Sequence, residues 1–147
     1  MRTLLPKTFL LACIVATIQA KIFGRCELAR VLKDHGMDGF RGYSLANWVC
    51  MAFFESGFDT KAIEKNEDQS QDFGIFQISS DWWCKADIPS ENLCYISCNE
   101  LLNSNIEDDI LCAKRIAADP QGMEAWDKWK THCQHKDLKK WVNGCTF

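Results

Sequence analysis

Apolar residues recur at helical spacing through Cys26-Glu27-Leu28-Ala29-Arg30-Val31-Leu32-Lys33, and His35-Gly36 supplies a stop, so a first helix is expected there. A second is expected through Trp48, Val49, Ala52 and Phe53 towards Glu55, with Ser44 placed to cap it. Between Thr60 and Trp83 the pattern changes. Glu64-Lys65-Asn66-Glu67-Asp68-Gln69-Ser70 is polar and turn-like, and Phe73-Gly74-Ile75-Phe76-Gln77-Ile78 is rich in strand formers. A small antiparallel sheet follows, with Asp72 on a strand or at its edge. The stretch from Lys85 to Asn99 has no period and, with Cys84, reads as a cysteine-stapled loop. Helical character returns from Ile106 to Ala118, with Cys112 on the inner face and Asp119-Pro120 ending it. A shorter amphipathic piece carries Trp126, Trp129 and Cys133, and the chain closes on Leu138, Trp141, Val142 and Cys145. Helices on both sides of a small sheet predict an α+β domain of two lobes with a cleft between them.

Residues 1–20 stand apart from that pattern. Arg2 and Lys7 give a basic start, Phe9 to Ala16 an apolar stretch, and Ala20 a small residue for cleavage, which together read as a secretory signal peptide. No later segment is long and apolar enough to span a membrane, so residues 21–147 are expected as one secreted, extracellular, monomeric domain without a membrane partner. Nine cysteines less Cys13 leave eight, an even number that implies a disulfide framework in a small secreted domain. A zinc site is the weaker reading, because there is no paired C-x-x-C and the three histidines lack ligand spacing. Arg2 and Lys7 account for two of the 17 basic residues. The mature chain therefore has 15 against 20 acidic residues, a formal charge of −5 that argues against nucleic acid and against anionic surfaces.

Two carboxyls carry the candidate chemistry. Glu55 ends an apolar stretch, Trp48 to Phe54, whereas Asp72 lies among polar and strand-forming residues. Burial raises the pKa of the first, while hydrogen bonds and solvent are expected to keep the second ionised. Cleavage of a glycosidic acetal needs that pair, a proton donor for the leaving oxygen and an anion for the developing oxocarbenium ion. Trp48 and Trp129 read as core. Trp82 and Trp83 are adjacent and cannot both face inward on a strand, so one of them is expected to be exposed for binding. His35, His132 and His135 read as surface or rim residues.

Several segments resemble the c-type lysozyme and α-lactalbumin family: Lys21-Ile22-Phe23-Gly24-Arg25-Cys26-Glu27-Leu28-Ala29, Gly42 to Cys50, Asp72-Phe73-Gly74-Ile75-Phe76-Gln77-Ile78, Trp82-Trp83-Cys84, Cys112-Ala113-Lys114-Arg115-Ile116 and Gly122-Met123-Glu124-Ala125-Trp126. The likeness runs from Lys21 to the C-terminus and includes all eight mature cysteines. It implies Glu55 as general acid and Asp72 as nucleophile or anionic stabiliser of a retaining muramidase. This family is the type case of that mechanism, which sets its two carboxyls about 5–5.5 Å apart. The implied substrate is the β-1,4 bond between N-acetylmuramic acid and N-acetylglucosamine in peptidoglycan, or a chito-oligosaccharide, and no cofactor is required. The family pattern pairs Cys26 with Cys145, Cys50 with Cys133, Cys84 with Cys98 and Cys94 with Cys112. It sets Trp126 beside Glu55 and lines the sugar cleft with Trp82, Trp83 and Asp119; Gln77 and Ser79 join the substrate-binding set.

The chain departs from the family at Ser79, where an asparagine commonly supports the aspartate and a substrate acetamide, and at Asp127, where an apolar residue is usual. A carboxylate at Asp127 near Glu55 would raise the Glu55 pKa further. The −5 charge also removes the cationic steering towards bacterial walls. Glu100-Leu101-Leu102-Asn103-Ser104-Asn105-Ile106-Glu107-Asp108-Asp109 resembles the family's calcium elbow. Asp108 and Asp109 would give carboxylates and Glu100 and Asn105 carbonyls, while Asn103 stands where a third aspartate is usual and lowers the affinity. The plainer reading of that stretch is an acidic first turn complementing a helix dipole. Two non-enzymatic readings stay open: an α-lactalbumin-like modifier of a galactosyltransferase, which needs neither Glu55 nor Asp72, and a lysozyme-like carbohydrate-binding protein such as one acting in gamete recognition.

Overall fold

The computed structural model describes residues 19–147, so the signal-peptide segment lies almost wholly outside the described residues. Helix α1, Arg25–Asp34, buries Leu28, Ala29 and Leu32. Its first turn is held by Glu27, which accepts from the Gly24 N–H at 3.1 Å and pairs with Lys21. Helix α2, Leu45–Ser56, is apolar almost all round and runs through the middle of the core, with Trp48, Val49, Cys50, Met51 and Ala52 fully buried. Ser44 stands at the cap position, but its hydroxyl accepts from the Asn47 amide instead; the Leu45 N–H is capped from outside by Asp38 Oδ1 at 3.0 Å.

Three short strands form the second lobe: β1 Ile63–Lys65, β2 Gln71–Phe73 and β3 Ile78–Ser79, antiparallel in the order β1-β2-β3. Asp72 therefore sits on the central strand, opposite Glu64 on one side and Ser79 on the other. The run of strand formers from Phe73 to Ile78 is not one strand. It breaks at Gly74–Gln77 into a tight turn, with Gly74 at φ +80° and Gln77 at φ +50°. Ile75 and Phe76 are fully buried in that turn, so the apolar residues pay into the core between the lobes rather than into a sheet face.

After the loop comes helix α3, Glu107–Ala117, which buries Ile110, Cys112, Ala113 and Ile116, and then α4, Asp127–His132. Short 3-10 turns at Phe40–Gly42, Cys98–Leu101, Gly122–Ala125 and Lys139–Trp141 complete the frame. The four disulfides join Cys26 to Cys145, Cys50 to Cys133, Cys84 to Cys98 and Cys94 to Cys112, the pairing implied by the resemblance. Among the described residues no helix is long and apolar enough to cross a membrane.

Candidate active site

Glu55 lies on the last turn of α2, which ends at Gly57 in the left-handed region (φ +65°). The next residue fixes that end to the sheet lobe: the Ser56 hydroxyl reaches the carbonyls of Ala52 at 3.1 Å and Ile75 at 2.6 Å. Glu55 and Asp72 line a single cavity of about 370 Å³, together with Glu64, Asn66, Gln77, Ser79, Trp83, Ile116, Ala125, Trp126, Asp127 and Lys128. Glu55 comes to the cavity from the helical lobe and Asp72 from the central strand. Trp126 forms part of the wall between them, locked by its indole N–H to the Phe76 carbonyl at 2.8 Å and by edge-on packing against Trp48.

Burial pushes the Glu55 carboxyl up to about 7. The Lys128 ammonium opposes that rise, and Asp72, Glu64 and Asp127 add to it, with Asp127 the smallest of the named contributions. Asp127 thus acts in the direction expected of it but not as the main cause. Asp72 differs from expectation. It is half-buried rather than wet, and burial lifts it to about 6. An amide hydrogen bond from Asn66 to Oδ1 at 3.2 Å favours its ionised form, while the carboxylates of Glu64, Asp68 and Asp81 oppose that form.

Ser79 faces Asp72 in register, but its hydroxyl accepts from the Asp81 N–H at 3.1 Å within its own turn. The aspartate is supported from the other side, by Asn66. Gln77 lines the cavity, yet its amide nitrogen is spent on the carbonyls of Ala62 and Gly74, both at 3.0 Å. The tryptophan pair divides as expected, although on a turn rather than a strand: Trp82 is 56 % exposed and Trp83 8 %. Trp82, Trp83 and Asp119 line an adjoining cavity of about 450 Å³ with Ser79, Leu93, Gln121 and Ala125. Arg115 touches two of these residues, its guanidinium lying over the Trp83 ring and donating to Asp119 at 2.7 Å. Asn66 and Lys128 line the first cavity and Arg115 contacts two residues of the second, and sequence reasoning singled out none of the three for a site. Arg115 and Asp119 have i, i+4 spacing, the one signal among them visible in the chain.

The elbow from Glu100 to Asp109 is partly committed to its own loop. Asn103 Oδ1 accepts from the Asn105 N–H and Asn105 Oδ1 from the Glu107 N–H, at 3.0 and 3.1 Å. The Asn103 amide also donates to the Glu100 carbonyl at 3.4 Å. Asp108 is exposed, and Asp109 is fully buried with neither carboxyl oxygen hydrogen-bonded. Those orphaned oxygens suit a cation, but among the described residues no three acidic, histidine or cysteine side chains converge on one. The stretch thus offers a cation at most two carboxylates, one exposed and one buried, and no third charge.

A cleft between a helical and a sheet lobe, four disulfides in this pairing and two carboxyls across the cavity define a lysozyme-type domain. Residues 21–145 match the C-type lysozyme/alpha-lactalbumin family, and the chain belongs to it. It is 57 % identical over 129 residues to lysozyme C, milk isozyme, of Canis lupus familiaris, covering 86 % of this chain and 100 % of that one. It is 51 % identical over 134 residues to sperm acrosome-associated protein 5 of Mus musculus, covering 90 % and 84 % respectively. The crystal structure of recombinant canine milk lysozyme in its apo form superposes with a TM-score of 0.84 at 56 % identity, over 86 % of this chain and all of that one.

Proposed function

We propose that the protein is a secreted, monomeric muramidase that hydrolyses the β-1,4 bonds of peptidoglycan by a retaining two-carboxylate mechanism, with bacterial lysis as the outcome. One observation carries the reading: Glu55, raised by burial, and Asp72, held by Asn66, share one cavity with Trp126 in its wall. Glu55 donates its proton to the leaving oxygen. As the glycosidic C–O bond breaks, Asp72 bonds to the anomeric carbon or steadies the cation there. Water then adds at that carbon, frees the Asp72 carboxylate and gives its proton to Glu55. Trp82, Trp83 and Asp119 hold the sugar rings alongside.

A second reading follows from the likeness to a sperm acrosome-associated protein: a glycan-binding member of the family that resides in the acrosome and turns over slowly or not at all. Cleavage of soluble chito-oligosaccharides beside a Glu55→Gln control separates the two. Turnover lost in the variant supports the enzyme, whereas binding without turnover in the wild type supports the lectin-like role. The presence of both carboxyls speaks against an α-lactalbumin-like modifier, which needs neither; Phe53 and Trp141, whose rings pack together, suit a docking surface and plain packing equally.

Calcium belongs to the same proposal. Asp108, Asp109 and Asn103, with the carbonyls of Glu100 and Asn105, would hold it with a Kd near the millimolar range, because the third carboxylate is missing. Calorimetric titration of EDTA-treated protein is expected to show weak heat at millimolar calcium, and no heat removes the site.

A further inference from the structure

The cavity that holds Glu55 and Asp72 is lined by four carboxyl residues, Glu55, Glu64, Asp72 and Asp127, and Lys128 is the one basic residue among the described residues lining it. Lys128 Nζ lies 4.0 Å from Glu64 Oε1, and both side chains are about half exposed. The partners belong to different lobes. Glu64 is the middle residue of β1 and the cross-strand partner of Asp72, whereas Lys128 follows Asp127 at the start of α4, just beyond Trp126. The pair therefore crosses the cleft beside the two reacting carboxyls. It also lies apart from the cavity around Trp82. The adjoining cavity around Trp82 and Asp119 shares Ser79, Trp83 and Ala125 with the first, and includes neither Glu64 nor Lys128.

We propose that Glu64 and Lys128 form a strap across the cleft at the end away from Trp82, which discriminates against glycans long enough to run past Asp72 on that side. The inference rests on reading the cleft as a glycan site and adds a length preference to it. A short oligosaccharide seated on the tryptophans leaves the pair closed. A longer one needs the space between the two side chains, so the pair must part. An exposed ion pair is weak, which makes the strap a selector and not a barrier. Salt screens it, so the discrimination fades as ionic strength rises.

The same charges act on Glu55, the ammonium favouring its ionised form and the Glu64 carboxylate its neutral one. The test is therefore run in a Glu55→Gln background, where neither cleavage nor titration of that residue intrudes. Affinities for chitotriose and chitohexaose are measured by calorimetry with Glu64→Gln, with Lys128→Met, and with the exchanged pair Glu64→Lys plus Lys128→Glu. The hexaose-to-triose affinity ratio is expected to rise by about two- to fivefold in each single variant, as suits an exposed pair, and to return towards its starting value in the exchanged pair. An unchanged ratio in both single variants, or a rise that persists in the exchanged pair, overturns the strap. Absence of turnover in the wild type would sink the muramidase reading and leave this ratio measurable. Failure of either sugar to bind would remove both.

Discussion

At Glu55 and Asp72 the same cause, burial, acts on both carboxyls, and under the proposed mechanism the difference between them would set the working range. Glu55 at about 7 is protonated below that pH, and Asp72 at about 6 is ionised above that one. An acid that must be protonated and an anion that must be charged coexist best between those values. The kcat/KM profile on a soluble oligosaccharide is thus expected to be a narrow bell with its maximum between about pH 6 and pH 7. The two limbs belong to the interacting pair, not to either residue alone. Replacing Asn66 by Ala removes the hydrogen bond that favours ionised Asp72, and should move the acid limb upward while leaving the other nearly in place. A maximum below pH 5 would contradict the assignment. The surroundings of Glu55 are legible in its apolar flanks. Those of Asp72 are not, because the polar look of Gln71-Asp72 gives no sign that the side chain is half-buried in the cavity and hydrogen-bonded by Asn66. Asn66 and Lys128 were invisible for a related reason: their contacts depend on strand register and helix phase, which a run of letters does not display.

Elements follow the hydrophobic period closely where the period is long. Helices α1, α2 and α3 lie within two residues of their expected bounds, and the small sheet falls where the polarity changes. Short-range chemistry is where expectation and structure part. Asp38, seven residues before Leu45, takes the capping role expected of Ser44, since a cap requires only an oxygen delivered to the first free N–H. The break at Gly74 has a similar logic. β-Propensity favours a strand, but the chain must pass under the Leu101 carbonyl and the Asp109 carboxyl, and a Cβ at Gly74 would meet Asp109 Oδ2 at 2.8 Å and Leu101 O closer still. With φ at +80° as well, Gly74→Ala should destabilise the protein by roughly 2–4 kcal/mol, seen as a lower denaturation midpoint in urea with an unchanged slope. Loss below about 0.5 kcal/mol would show that the turn can shift without cost.

For the molecule as a whole, charge and covalent framework matter most. Residues 21–147 bear a formal −5, and bacterial walls are anionic, so under the proposed function an encounter would be opposed at low ionic strength. Added salt screens that repulsion, and turbidity clearance of whole bacteria is expected to improve or hold steady as salt rises from very low values. A monotonic loss of lysis over the same range would overturn the expectation. The existence of a disulfide framework was legible in the cysteine count, but its pairing only through the family likeness, because eight cysteines do not dictate their own partners. Its outermost bond, Cys26 to Cys145, encloses nearly the whole domain. A protease that cuts any one peptide bond between those two cysteines therefore releases no fragment. Glu55 and Asp72 stay on one covalent body after such a nick, and the pieces separate only once a reductant arrives.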